Sequence, residues 1–524
     1  MGPGRRSGCR PASPPRRSEE ELVLRRHSGA GASPFYRHVS HLAISTALAQ
    51  GIAMLTSVFL ARLYPPREFG EFSIALSLAL IVATAATLRL EMAVPLAEDE
   101  REAVVLTATA VIASVLVAVA MLAVLVIHLV VTGHPWSAFG AGAGVWLVPA
   151  MVATLGTSAA ARMLQSRRER FAAVSGATVL GAAVQGVGQL VAAPLGAGAT
   201  GLTGGYVAGR AWYSVALLRR SGVLGVRSAS EWWSATVKWR RFALLTSPPA
   251  LLNMISVGAV APVVAVCYGV TLSGLFAFAT RLLTLPAALI GQAVGSVFFP
   301  KIAALERDGG NVRLAVERVT TGLVFLSVPT FGFVLLLGPE LYVLAFGAEW
   351  RNAGSISALL APWLAASFVS SPLSTLMTVK DRLRSLLLLS GLETALRLGS
   401  LASGLLIGSA MVGIGAYSFS GLAISIGYVG WSLRLTGSSL RSWAGSIRSY
   451  LLLVGVAYPV LLVARGHLPQ PVSVALAVAL TAVLLGFAAR WLYRYRPGGP
   501  EGTPKPSGLS SDSEVTPVTS GASR

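Results

Sequence analysis

AVVLTATAVIASVLVAVAMLAVLVIHLVV, Ala103–Val131, contains no Asp, Glu, Lys or Arg. Wound as a helix rising about 1.5 Å per residue, it is longer than the ~30 Å hydrocarbon core of a bilayer. It is apolar on every face, so it needs lipid or a protein interior around it rather than water. The rest of the chain has the same character. Of 524 residues, 54% are hydrophobic and 12% charged, against roughly a quarter charged in soluble domains. Apolar segments of spanning length lie at about 39–61, 71–93, 103–131, 140–162, 172–193, 200–220, 243–268, 272–298, 316–338, 355–379, 384–407, 411–432, 449–465 and 471–492. The expectation is an all-α membrane protein of about fourteen transmembrane helices, with both termini in the cytoplasm.

The connections give the helices a direction. With the N-terminus inside, the inner loops hold Arg101; Arg162, Arg167, Arg168 and Arg170; Arg219, Arg220, Arg227, Lys238, Arg240 and Arg241; Lys301, Arg307, Arg313 and Arg318; Lys380, Arg382 and Arg384; and Arg434, Arg441 and Arg448. The outer loops hold Arg62, Arg67, Arg351 and Arg465. That is twenty-one against four, the asymmetry that retention of positive loops in the cytoplasm produces. It also accounts for the net charge of +20 without invoking nucleic acid. The first 38 residues are rich in Arg, Pro and Ser and have no apolar core, so they do not resemble a cleavable leader. They and the tail 497–524 are expected to be solvated and disordered.

A repeat is visible at the outer ends. Tyr64, Gly70, Phe72, Ile74 and Ala75 recur in the same spacing as Tyr268, Gly274, Phe276, Phe278 and Ala279. Both copies follow an odd-numbered helix, so they share one orientation. Two six-helix halves related by an axis along the membrane normal would produce that pattern. The expected organisation is a basic cytoplasmic tail 1–38, an N-terminal six-helix lobe 39–222, a cytoplasmic linker 223–242 and a C-terminal six-helix lobe 243–433. Two extra helices (434–496) and a tail (497–524) complete it.

Catalytic chemistry finds little support. Each of the four lysines follows Val or Pro, so no Gly-Lys step of a phosphate-binding loop exists. No pair of histidines has metal-ligand spacing, and two cysteines, Cys9 and Cys267, offer neither a disulfide framework nor a zinc site. The longest outer loop, about 339–354, carries only Glu340, Glu349 and Arg351 as charged residues. The expectation is no enzyme, no cofactor, no metal and no catalytic residue.

What remains are charges inside apolar helices. An Arg at mid-bilayer costs at least ~2.5–3.5 kcal/mol on insertion scales, so it needs a partner or a use. Arg210, Arg281 and Arg397 lie well within apolar segments, and Arg89 near the inner end of the second. Glu393 stands four residues before Arg397, on the same helix face, where an ion pair can form. Arg281 has no acidic neighbour in sequence, and its repeat counterpart is Ser77. A guanidinium group offers bidentate contacts to a diphosphate and does not deprotonate. Arg281 is therefore the first candidate for binding an anionic substrate, with Arg397, Arg210 and Arg89 as secondary candidates. Prolines at 248, 249, 262, 286, 329, 362 and 372 concentrate in the second half, where they would kink or hinge helices.

Several blocks resemble one family in order. LARLYPPREFGEFSIALSL (Leu60–Leu78), LRLEMAVPLAEDEREA (Leu88–Ala103), the seventh and eighth helices from Arg241 to Pro300, and FGAEWRNAG (Phe346–Gly354) resemble the Wzx-like oligosaccharide flippases of the MOP exporter superfamily. The resemblance spans about 39–432, and the last two helices fall outside it. It implies two six-helix lobes around a central cavity, in a monomer of the bacterial inner membrane. It further implies movement of polyprenyl-diphosphate-linked oligosaccharide to the outer leaflet, in company with membrane lipids, a glycan polymerase and glycosyltransferases. Two alternatives stay open: a multidrug or cation antiporter of the same superfamily, which would want a cavity carboxylate, and a membrane glycan polymerase or glycosyltransferase.

Overall fold

The structure is a computed structural model that describes residues 34–136, 142–219, 221–226, 228–285, 311–373, 383–464 and 467–494, with a few isolated positions between them. The basic tail before Pro34, Pro286, the loop holding Arg307, the positions Lys380 and Arg382, and the tail after Arg494 lie outside the described residues.

The described chain is helical throughout. In order it forms α1 (Pro34–Leu63), α2 (Pro66–Ala86), α3 (Glu100–Thr132), α4 (Val148–Arg167), α5 (Phe171–Ala192), α6 (Gly198–Leu218), α7 (Ala229–Gly258) and α8 (Val260–Tyr268). Then follow α9 (Val270–Leu285), α10 (Val312–Phe346), α11 (Arg351–Ser370), α12 (Leu383–Ile407), α13 (Ala410–Leu435), α14 (Leu440–Ser446), α15 (Arg448–Ala464) and α16 (Gln470–Arg494). Each segment expected to span has a helix. Among the described residues nine helices are long and apolar enough to cross a bilayer, or eleven when the two bent pairs α7–α8 and α14–α15 count as single spans. α6, α9 and α12 are not among them, and α9 is described only as far as Leu285 and the side chains of α12 only from Gly391. These three are the ones that carry Arg210, Arg281 and Arg397. Fourteen spans are compatible with this architecture.

Local chemistry sets several boundaries. Asp99 caps α3, its carboxylate accepting from the Glu102 amide at 2.6 Å. Pro66 opens α2 at the first helical position. α2 ends at Ala86, earlier than its apolar run suggests, and two short 3-10 turns follow at Leu90–Met92 and Val94–Leu96. The segment read as a linker is helical from Ala229 onward, continuous with α7. It is tied to the start of α3: Lys238 Nζ lies 2.7 Å from Glu102 and 3.0 Å from Glu98, and Arg101 lies 2.7 Å from Glu231. Trp239 Nε1 donates to Glu102 at 3.0 Å. α7 and α8 meet at a 40° bend, about two and a half turns beyond Pro249 and just before Pro262, each proline removing a donor from the helix ladder.

The repeat seen in sequence is a packing repeat. Tyr64, following α1, donates its hydroxyl to the Gln189 carbonyl of α5 at 2.7 Å. Tyr268, ending α8, donates to the Leu401 carbonyl of α12. The first tyrosine lies against Gly201 of α6 and the second against Gly413 of α13. The two halves meet at their equivalent glycines. A Cβ on Gly274 would lie 1.9 Å from the Pro66 carbonyl oxygen and 2.6 Å from the Gly70 nitrogen, and one on Gly70 would lie 2.0 Å from the Val270 carbonyl oxygen. Only backbones without side chains can cross so closely. Trp350, fully buried, closes the same end. Its Nε1 donates to the Ala61 carbonyl at 2.7 Å, and its ring packs on Phe69 and Phe278 at 5.2 and 4.2 Å.

The last two spans, α15 and α16, dock on α10. Phe325 of α10 packs on Tyr450, Phe487 and Trp491 at 4.6, 5.4 and 5.4 Å. The Tyr458 hydroxyl donates to the Val328 carbonyl at 3.3 Å, which lies one residue before Pro329.

Candidate functional site

Three arginines lie at one depth. Counting about 1.5 Å per residue from the helix ends nearest Trp350, Arg210 on α6, Arg281 on α9 and Arg397 on α12 all sit ~15–18 Å down, near the middle of a ~30 Å hydrocarbon layer. Their surroundings differ.

Arg397 is already engaged. Its Nη1 donates to Glu393 Oε1 at 3.1 Å, and Nη2 donates to the Tyr417 hydroxyl. The guanidinium lies over the rings of Trp363 and Tyr417, 4.1 and 4.5 Å from their centroids. The expected helix-face pair between Glu393 and Arg397 is therefore present, with an aromatic clamp added. The clamp comes from α11 and α13, so nothing in the local sequence of α12 signals it. The group borders a cleft of about 140 Å³ lined also by Asn253, Ser256 and Thr394, and Thr394 donates to Ser256 at 2.7 Å across α12 and α7.

Arg210 and Arg281 face a common tyrosine. Arg210 Nε donates to the Tyr206 hydroxyl at 3.3 Å, and its guanidinium lies 5.4 Å from that ring. Arg281 comes into the neighbourhood of the same phenol from the second half of the chain. Tyr206 packs edge-on against Phe72 at 6.0 Å, at the repeat contact. Arg281 is partly buried, and among the described residues its side chain makes no hydrogen bond or ion pair. A mid-bilayer guanidinium with no partner keeps its full hydrogen-bonding capacity, five N–H groups in a planar fork.

Arg89 stands apart from these three, past the inner end of α2. Leu88 and Arg89 both adopt left-handed backbone, φ 52° and 56°, each costing about 1–2 kcal/mol for a residue with a Cβ. Arg89 Nη1 is 3.5 Å from Glu91 Oε1, while Arg89 Nε and Glu91 Oε2 are buried without a partner. No group of three or more His, Cys, Asp or Glu suited to a metal ion occurs among the described residues.

Two helical halves with equivalent contacts, crossing at a glycine pair and carrying arginines well inside their helices, define a multi-pass helical membrane protein built on an internal repeat. The chain belongs to the polysaccharide biosynthesis protein family, whose family model matches residues 59–355. No curated protein matches. Among solved structures, the lipid II flippase MurJ in an inward closed conformation superposes with TM-score 0.66 at 13% identity, covering 86% of this chain and 98% of that one. A multidrug resistance MATE transporter of the MOP superfamily, inward-facing, gives TM-score 0.51 at 15% identity over 79% of this chain and 97% of that one. At such identities the likeness is one of fold.

Proposed function

We propose that this chain flips a polyprenyl-diphosphate-linked oligosaccharide from the inner to the outer leaflet of the bacterial plasma membrane by alternating access, in cell-surface polysaccharide biosynthesis. Its N- and C-termini lie in the cytoplasm. The lobes 39–222 and 243–433 are the moving bodies, and the chain works as a monomer beside the glycosyltransferases and polymerase that make and consume its substrate.

The observation that carries the reading is Arg281. Leaving a guanidinium without a partner in the membrane costs energy, and an anionic ligand repays it. A diphosphate and a sugar chain cannot cross hydrocarbon unaided, so the head group needs a polar cavity while the polyprenyl tail stays in lipid. Arg281 and Arg210, both near Tyr206, supply paired cations for the two phosphoryl groups. Arg397 and Arg89 are secondary candidates. Rocking of the lobes about the Gly70–Gly274 crossing would expose the cavity to one leaflet and then the other.

The antiporter reading is weaker on one specific point. A cationic substrate wants a carboxylate, and the mid-helix candidate Glu393 is paired with Arg397 at 3.1 Å. Reconstitution into vesicles with a fluorescent polyprenyl-diphosphate glycan tests both. Arg281→Ala is expected to lose flipping while inserting normally. Undiminished flipping by that variant removes Arg281 from the site, and transport of organic cations by the wild-type chain with no lipid flipping removes the reading itself.

A further inference from the structure

A cavity lies outside the central site, at the arginine-rich end of the first half. It measures about 700 Å³ and lies between the α4–α5 turn and the last turns of α6. Its polar wall is Gln165, Arg170 and Arg219; its apolar wall includes Ala173, Trp212 and Val215. Trp212 and Val215 are 45% and 53% exposed, on a segment whose sequence is that of a membrane span, so this wall opens toward lipid.

The neighbouring arginines on this face are consumed by the fold. Arg167 donates to the carbonyls of Val94 and Pro95 at 3.2 and 3.0 Å, and Arg168 donates to Glu100 and to the Ser221 carbonyl at 2.6 and 2.8 Å. The side chains of Arg170 and Arg219, the two that line the cavity, have no hydrogen-bond or ion-pair partner among the described residues. Gln165 supplies a second, independent sign. It is 3% exposed, and its Nε2 donates to the Leu217 carbonyl at 2.6 Å. That leaves Oε1 buried without a donor, an unfavourable state unless something supplies a proton. The N-terminus of α5, with no acidic residue in its first turn and no side-chain cap, adds positive potential beside Arg170.

We infer that this cavity binds the head group of an anionic glycerophospholipid that carries a hydroxyl donor. The phosphodiester takes Arg170 and Arg219, the hydroxyl donates to Gln165 Oε1, and the first acyl carbons lie along Trp212 and Val215. The volume falls within the range of ligand pockets, and a basic pocket between helix ends at a membrane surface is suited to such lipids. This site is independent of the substrate assigned to the central cavity.

The test is native mass spectrometry of the full chain, titrated with phosphatidylglycerol, phosphatidylmethanol or phosphatidylcholine in mixed micelles, or with glycerol 3-phosphate in solution. Phosphatidylglycerol is expected to bind first, several-fold ahead of phosphatidylmethanol, which keeps the anion and lacks the hydroxyl, with phosphatidylcholine weakest. Arg170→Ala/Arg219→Ala should weaken phosphatidylglycerol about tenfold, the loss of charge-assisted hydrogen bonds. Arg434→Ala/Arg441→Ala, which removes the same charge elsewhere on that face, should not. Equal weakening by the two double variants would reduce the effect to general surface charge and overturn the site. Parity of phosphatidylglycerol with phosphatidylmethanol would overturn the role of Gln165. Saturation by glycerol 3-phosphate at the same concentration would make the ligand a soluble phosphate and not a lipid.

Discussion

Arg281 and Arg397 have the same side chain at the same depth, and their neighbours give them opposite consequences. Arg397 has an ion pair, a phenol and two ring faces; desolvated cation–π contacts of this kind contribute about 2 kcal/mol or more. Arg397→Ala should therefore lower the thermal midpoint in detergent, because it strands Glu393 and empties the clamp between Trp363 and Tyr417. Arg281 spends insertion energy without a compensating partner. Arg281→Leu is expected to leave the midpoint unchanged or raise it, while transport is lost. A scanning fluorimetry comparison of the two variants checks this, and a large destabilisation by Arg281→Leu would mean that Arg281 is held by contacts like those of Arg397. The pairing of Glu393 with Arg397 was legible from their four-residue spacing. The clamp was not, because Trp363 and Tyr417 come from other helices, and a sequence does not say which helices are neighbours.

At the level of elements, the decisive contact is the crossing of the two repeat hairpins. Tyr64 and Tyr268 hold equivalent carbonyls, which fixes each hairpin within its own half. Gly70 and Gly274 then let the halves touch backbone to backbone. Adding a methyl group there forces a shift that costs about 1–3 kcal/mol, enough to move a two-state equilibrium roughly tenfold or more. On the alternating-access reading, Gly274→Ala should open the Trp350 end. A cysteine placed at Ala61, beneath the Trp350 indole, should react with a membrane-impermeant thiol reagent at least several-fold faster in that background. Unchanged labelling would show that this contact does not gate the cavity. The paired α15 and α16 lie against α10 through Phe325, Tyr450, Phe487 and Trp491. They brace the helix that leads into the Trp350 loop.

For the whole molecule, the orientation in the membrane follows from the charge of the connections. Cysteine substitutions at Glu349, beside Trp350, and at Glu100, at the start of α3, should behave oppositely. In intact cells the first is expected to react with an impermeant reagent, and the second only after permeabilisation; the reverse pattern would invert the topology. The same picture explains where the ionic contacts gather. Lys238, Arg101 and Arg168 find Glu98, Glu102, Glu231 and Glu100 at the end assigned to the cytoplasm, outside the hydrocarbon, where such exposed pairs each contribute about 0–1 kcal/mol. The pairs of Lys238 and Arg101 tether α7 to the start of α3, and that of Arg168 ties the α4–α5 turn to α3, with bonds weak enough to be exchanged on the alternating-access reading.

The amino-acid order alone determined that this chain lives in a membrane and that the Tyr64–Ala75 pattern recurs at Tyr268–Ala279, and it sets the expected orientation of the helices. These follow from composition, loop charge and residue spacing, which are one-dimensional quantities that lipid and water read directly. It also singled out Arg281, since an arginine in an apolar run with no acid nearby is an anomaly at the scale of a single helix. Only the tertiary structure decided which arginines are already occupied, that Arg210 donates to Tyr206, and that Gly70 meets Gly274. It also decided that Gln165, Arg170 and Arg219, drawn from a turn and two helices, surround one cavity. Those are matters of which helix faces which, and helix packing is settled by the fit of side chains from distant parts of the chain.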